Sequence, residues 1–362
     1  MMIRALSLTF LFALSHGAIL GKAFHVYSPS SKENTLWIVK ATNKGENLKL
    51  EVAEKVKFDF SGRVITTHPS KPLLYVTSTG GDPGKVPGAV VFLNEDGSYQ
   101  KHRKINFNDG ACYLSLDKGN RHLLGVSYGN GRLNVYPLDA NGIPGKAVTT
   151  IDEGKREAHC VLLPPDGKNV YVPYVKGNLA LLQYAYDDKT GKVTPLEPFD
   201  AKPPLGSGPR HMAYHPTLPM VYFSNEQGIG LSSYRRETNG QLKVEQDISI
   251  LPPGMSKIGL SASDLLITPD GQFLFAGLRG HRQDFSRISR YRVLEDGKAE
   301  FLGLTEADQV PWGLTLSPDG KFLLVSATTG ASLAAYRISK DGNLKRVATL
   351  AWDARMSDLV TR

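Results

Sequence analysis

Short apolar runs rich in β-branched and aromatic residues recur along the chain: FHVYS, LYVTS, LGVSY, VYVPY, VYFSN, LFAGL and LLVSA. Their centres are Val26, Val76, Val126, Val172, Phe223, Ala276 and Val325, spaced 50, 50, 46, 51, 53 and 49 residues apart. Polar turn sequences precede six of them: HPSKP after Thr67, LDKGN after Ser115, PPDGK after Leu163, HPTLP after Tyr214, TPDGQ after Ile267 and SPDGK after Leu316. Pro and Asp-Gly fix tight hairpin turns, so each repeat reads as an inner strand, a turn and the apolar strand. A second hairpin and an outer strand follow, as in GAVVFLN at 88–94 and RISRYRV at 287–293. Four short strands fill the period and leave no room for a long helix. One such sheet cannot bury its own faces, and seven stacked around an axis predict an all-β, seven-bladed β-propeller.

The first repeat has no inner strand of its own. Arg4, the apolar run ALSLTFLFAL at 5–14 and small residues ending in GKA at 21–23 have the form of a secretory signal peptide, too short to span a membrane comfortably. The missing strand is found at the far end, where MSDLVTR at 356–362 aligns with ASDLLIT at 262–268. The expected organisation is therefore a leader at 1–23 and one propeller domain at 24–362, closed by its C-terminal strand, in a secreted or periplasmic protein. The length alone would suggest two domains.

A composition of 41% hydrophobic and 22% charged residues is that of a globular chain with a sizeable core. The net charge of +8 becomes about +6 once Arg4 and Lys22 leave with the leader. The basic residues are scattered, with no run longer than a pair, which argues against a nucleic-acid surface. Cys112 and Cys160 occupy the same position in consecutive repeats; packed sheets lie about 10 Å apart, beyond disulfide reach, so two free thiols are expected.

Function must come from what breaks the repeat. Six residues before each turn, where the inner strands begin, stand Arg63, Ala111, His159, Arg210, Ser263 and Trp312, with Ser357 in the closing strand. Three residues past the centres of the apolar strands, Glu226 and Arg279 are the only charged residues among Pro29, Thr79, Gly129, Val175 and Thr328. Antiparallel pairing brings both rings to one mouth of the axial channel. His159, Arg210, Glu226 and Arg279 come from three consecutive blades, and opposite charges around a concave mouth mark a binding or catalytic site.

GPRHMAYHP at 208–216, followed by VYFSNE at 221–226, resembles the lactonase-type seven-bladed propellers, as do SASDLLITPDGQFLFAGLRGH at 261–281 and AHCVLLPPDG at 158–167. That family includes propeller-type 6-phosphogluconolactonases and carboxy-cis,cis-muconate cyclases, and the resemblance extends over essentially the whole mature chain. It implies a catalytic set of His159, Arg210, Glu226 and Arg279, the four residues that the rings isolate. His211 and His281 are the expected orienting neighbours, and with Asn225, Arg63 and Trp312 they form the candidate substrate-binding set. Three features depart from the family pattern: Trp312 stands where a basic residue is usual, Leu278 replaces an Asn, and residues 282–285 lengthen the next loop.

Hydrolysing a lactone requires an activated water, a held oxyanion and a proton for the departing alkoxide. Glu226 or His159 suits the proton transfers, and Arg210 and Arg279 suit the oxyanion or a substrate carboxylate or phosphate. A cyclase would run the same residues in the reverse direction. The family resemblance also raises an axial calcium, for which Glu226, Asn225 and Asp264 are the available oxygen ligands; two adjacent arginines oppose it, so no metal and no cofactor are expected. A non-enzymatic binding scaffold is the other class, against which stands the concentration of charge in three blades. The expected protein is an exported lactonase acting on a small-molecule sugar or related lactone by general acid–base catalysis at the propeller mouth.

Overall fold

Each apolar run of the repeat forms a strand near the axis of an antiparallel sheet, the second strand in every blade but the fourth, flanked by neighbours on both faces and so buried along its whole length. Leu73–Thr77, His122–Val126, Asn169–Tyr174, Met220–Asn225, Phe273–Gly280 and Phe322–Ala327 are buried at every residue. The computed structural model describes residues 23–282, 284–352 and 355–362, which form seven sheets around a central axis, here blades 1 to 7 in chain order. The expected leader falls almost entirely outside the described residues; the first strand, Ala23–Ser30, begins at its last residue. Among the described residues the only helical element is a 3-10 turn at Lys176–Asn178.

Apolar side chains from facing blades interlock into separate clusters: Tyr27, Ile38, Val76 and Ala89 join blades 1 and 2, and Val26, Val39, Leu324 and Leu333 join blades 7 and 1. Burying each such side chain is worth about 1.5–3 kcal/mol. A polar contact repeats between blades as well. Tyr27, Tyr75, Tyr171 and Tyr222 each donate a hydrogen bond at 2.6–2.9 Å to the carbonyl of Gly97, Gly142, Gly240 and Gly297 in the outer hairpin of the following blade. Those glycines have φ of 79–85°, a conformation glycine adopts without steric cost.

The ring closes across its termini. Val360–Thr361 pairs antiparallel with Ala23–Ser30, through Val26 opposite Thr361 and Tyr27 opposite Val360. His25 and Arg362 exchange backbone hydrogen bonds of 2.8 and 3.0 Å, and Ser28 Oγ donates to the Asp358 carbonyl at 2.6 Å. The regular strand is shorter than the expected 356–362.

Blade 4 corrects the sequence reading: its inner segment, residues 158–162, makes only isolated bridges at Ala158–Tyr174 and Leu162–Tyr171, leaving a three-stranded sheet. The facing Pro173 has no N–H to offer; its carbonyl still accepts from His159 N at 3.0 Å. Cys112 and Cys160 are both free. Cys112 Sγ donates to the Ala158 carbonyl at 3.2 Å.

Candidate active site

At the end of the axis where inner strands begin and second strands end lies a cavity of about 470 Å³. His159, Arg210, Glu226 and Arg279 all line it, as do His211, His281, Arg63 and Trp312. Asn225 does not. Its side chain turns into the blade, donating to Ser232 Oγ and Asp247 Oδ1 at 2.7 Å each, which corrects its assignment as a substrate ligand. Asn225 ends strand Met220–Asn225 with its side chain on the blade face shared with Ser232 and Asp247, and Glu226, the next residue, lines the cavity.

Arg210 and Glu226 are placed by one hairpin. Gly208 has φ of 62°, a left-handed conformation that glycine adopts without steric cost at the turn into Pro209–Tyr214. Its carbonyl accepts Glu226 N at 2.7 Å, fixing the carboxylate's backbone opposite Arg210. Arg279 Nη2 donates to Glu226 Oε1 at 3.1 Å and to the Ala262 carbonyl at 2.8 Å; Arg210 Nε lies 3.5 Å from Glu226 Oε2. Both guanidiniums are almost fully buried. Burial and the like charge of Arg210 weaken Arg279's hold on its proton, opposed by Glu226. Trp312 eases the crowding: its ring centroid lies 4.4 Å from Arg279 Cζ and 5.9 Å from Arg210 Cζ, an attractive face for two cations where another base would repel them. His281 meets the same indole edge-on and pairs Nε2 with Ser261 Oγ at 3.0 Å. Arg63 stands at the exposed rim, its Nε 3.4 Å from Ser357 Oγ.

Below the arginines, His211 Nδ1 is 2.6 Å from Asp264 Oδ1, and the other oxygen of Asp264 accepts Leu314 N at 2.8 Å. Burial pushes Asp264 up, but His211, the Leu314 N–H and Arg210 outweigh it and hold the carboxyl below its ordinary range. Burial, and then Arg210, keep His211 low; the same causes with His211 keep His159 well below the usual histidine value, so both rings are neutral at pH 7. Several buried polar atoms of these cavity residues make no hydrogen bond within the protein: Arg210 Nε and Nη1, Arg279 Nε, Glu226 Oε2, His159 Nδ1 and His211 Nε2. Buried polar groups are rarely left so, and their concentration here marks a ligand site.

Sequence counting missed part of this set because the inner strands are bulged. Register shifts fall between Pro209 and Met212 and between Ala262 and Leu265, so consecutive residues, Arg210 with His211, share the channel side. A count displaced by one residue would have reached His211, Asp264 and Asp358 together. Of the calcium candidates, Asn225 faces away, Glu226 is engaged by Arg279 and Asp264 by His211. Among the described residues no group of three or more His, Cys, Asp or Glu side chains is arranged to hold a metal ion.

Asp358 in the closing segment lies half-buried at the cavity floor, where desolvation and the charge of Asp264 push it up to about 8. An acid bound more tightly in the folded state than in the unfolded one, where it titrates near 4, stabilises at low pH and loses that contribution as pH rises through 8. In thermal melts this contribution should lower wild-type stability from pH 5 to 8, against the opposite trend of the histidines that burial holds low. Asp358→Asn keeps an acceptor for Ile65 N, now 2.8 Å from Asp358 Oδ2, and should flatten that decline and melt higher at pH 8. Identical pH profiles for the two proteins would contradict a proton held on Asp358.

The chain matches the family described as "Lactonase, 7-bladed beta-propeller" over residues 26–354. It is 28% identical over 313 residues to a 6-phosphogluconolactonase of Klebsiella pneumoniae subsp. pneumoniae, covering 86% of this chain and 89% of that protein. A 6-phosphogluconolactonase of Pectobacterium carotovorum is 28% identical over 334 residues, covering 90% and 94%. In three dimensions it is similar to the periplasmic gluconolactonase PpgL of Pseudomonas aeruginosa, with a TM-score of 0.81, 20% identity and coverage of 94% and 99%, which shows a shared fold.

Proposed function

The chain belongs to the lactonase seven-bladed β-propeller family, and from the chemistry of its cavity we propose that it hydrolyses a sugar or related lactone, with Glu226 as the base. One observation carries the reading: a carboxylate oxygen that accepts no hydrogen bond, Glu226 Oε2, shares a buried cavity with guanidinium nitrogens of Arg210 and Arg279 that donate none, Arg210 Nε facing it at ion-pair distance. Glu226 Oε2 takes a proton from water as the water attacks the lactone carbonyl, and Arg210 holds the oxyanion that forms. The charge balance favours this route. The two guanidiniums face one negative charge before the step, on Glu226, and one after it, on the tetrahedral oxygen. When that intermediate collapses, Glu226 returns the proton to the ring oxygen that leaves. His159 and His211 are poor alternatives, because a third cation beside two buried arginines is disfavoured, as their lowered pKa values express.

The apolar run behind Arg4 and the likeness to a periplasmic gluconolactonase support export of the propeller after removal of 1–23, with a secreted or periplasmic site of action. That location favours an unphosphorylated lactone. Proton release measured on D-glucono-δ-lactone, its 6-phosphate and a carboxymuconolactone tests the reading, with the unphosphorylated sugar lactone expected to be opened fastest. A protein inert on every lactone would refute it. EDTA should leave the rate unchanged, since the three candidate oxygen ligands do not converge; a rate abolished by EDTA and restored by Ca²⁺ would show otherwise.

A further inference from the structure

The hydrolytic step uses Glu226 and the arginines and leaves the His211–Asp264 pair without a task. Its geometry is nonetheless well defined. Asp264 is pinned from both sides, by His211 Nδ1 on one oxygen and by the backbone N–H of Leu314 in the next blade on the other. An ionised carboxylate can only accept, so the imidazole proton resides on Nδ1 and Nε2 carries a lone pair. That Nε2 is buried and meets no donor in the protein. The groups around the ring do not supply one: the Tyr113 ring packs at right angles at 5.1 Å, the His159 ring lies 5.1 Å away, and the charges of Arg210 and Arg279 act on it without bonding Nε2. Tyr113, His211, Asp264 and Asp358 also line a second, largely aliphatic cavity of about 690 Å³ toward the opposite end of the axis, so they form the floor of the upper one.

Resting on the lactonase reading, we infer that the His211–Asp264 pair determines specificity: His211 Nε2 accepts a hydrogen bond from a hydroxyl carried on the lactone ring. The arginines offer only donors, which suit carbonyl and oxyanion oxygens. A ligand hydroxyl needs an acceptor, and at the cavity floor the fixed tautomer supplies one. Burial next to two arginines keeps the ring from taking the proton outright, so it reads the hydroxyl without deprotonating it. A site built around such an acceptor rejects a substrate that lacks the hydroxyl, because the acceptor is then left buried and unpaired.

The test compares wild type, His211→Phe, Asp264→Asn and His211→Gln on D-glucono-δ-lactone and on δ-valerolactone, the same six-membered ester without hydroxyls. His211→Phe removes the acceptor. Asp264→Asn can donate to Nδ1 and so turns Nε2 into a donor, reversing its polarity. Both should raise KM for gluconolactone about tenfold to a hundredfold with kcat changed less than about threefold, and the preference for gluconolactone over valerolactone should shrink by the same factor. His211→Gln, whose amide oxygen can accept the hydroxyl, should recover part of the loss. His211→Phe leaves the Asp264–Leu314 bond in place and keeps the test valid if Asp264→Asn does not fold; if valerolactone is not opened, the gluconolactone KM decides alone. A wild type that opens no lactone would defeat the lactonase reading itself, and one that opens valerolactone but not gluconolactone would overturn this inference. An active wild type whose His211→Phe variant keeps its KM, or loses kcat at constant KM, would overturn this inference alone.

Discussion

Glu226→Gln should lower kcat on the best lactone by about a hundred- to ten-thousandfold, the usual cost of removing a general base. The substitution keeps the side chain's size and leaves an oxygen to accept from Arg279, now 3.1 Å from Oε1, so the cavity retains its shape. What disappears is the oxygen able to take a proton from water. The two arginines also lose their shared countercharge, and removing one partner of a buried ion pair typically costs about 3–5 kcal/mol. The variant should therefore melt lower yet remain folded, because Thr79 and Gly129 occupy the matching position in blades 2 and 3 without disturbing them. Circular dichroism separates the two effects. A folded variant with full activity would remove Glu226 from the chemistry.

Arg210→Ala should cost about a hundred- to a thousandfold in kcat, the range for loss of an oxyanion donor. Arg210 is 1% exposed and pairs with Glu226 at 3.5 Å, but Nε and Nη1 make no hydrogen bond, which leaves these donors available to an oxyanion in the cavity. Lysine should not substitute, since a single ammonium cannot present two planar donors. A second readout is independent of turnover. Arg210 depresses both His159 and His211 through its charge, so their imidazole pKa values, followed by NMR, should move up in Arg210→Ala. Unmoved histidines would mean that the guanidinium lies elsewhere in solution.

The blade count and the clustering of His159, Arg210, Glu226 and Arg279 were readable from the chain because both follow from periodicity: a fifty-residue repeat sets the strands, and two registers along it set the mouth. The readings that went astray sit where periodicity breaks. Asn225 belongs to the VYFSNE motif that carries the family resemblance, whereas its side chain turns into the blade toward Asp247. Asp264 was weighed as a metal ligand, but the bulge at 262–265 brings it instead to His211, a contact no spacing rule contains. Asp358 is recognisable as the counterpart of Asp264 in the aligned segments, yet its place beside that residue depends on how the ring closes. Blade 4 lost its regular inner strand to Pro173, a proline that the repeat alignment shows but whose missing N–H matters only once its partner is known.

The seam between residues 25–28 and 358–362 has a kinetic meaning as well. It joins positions 330 apart in sequence, among the most non-local contacts the chain can make, and such contacts form late because the loop they close is long. Until residues 356–362 have emerged from the ribosome, Ala23–Ser30 keeps an open inner edge and Met356 and Leu359 are missing from the cluster that seals blades 7 and 1. A nascent propeller of this design cannot lock before residues 356–362 are available to pair. Refolding from denaturant should likewise be limited by the meeting of residues 23–30 with residues 356–362.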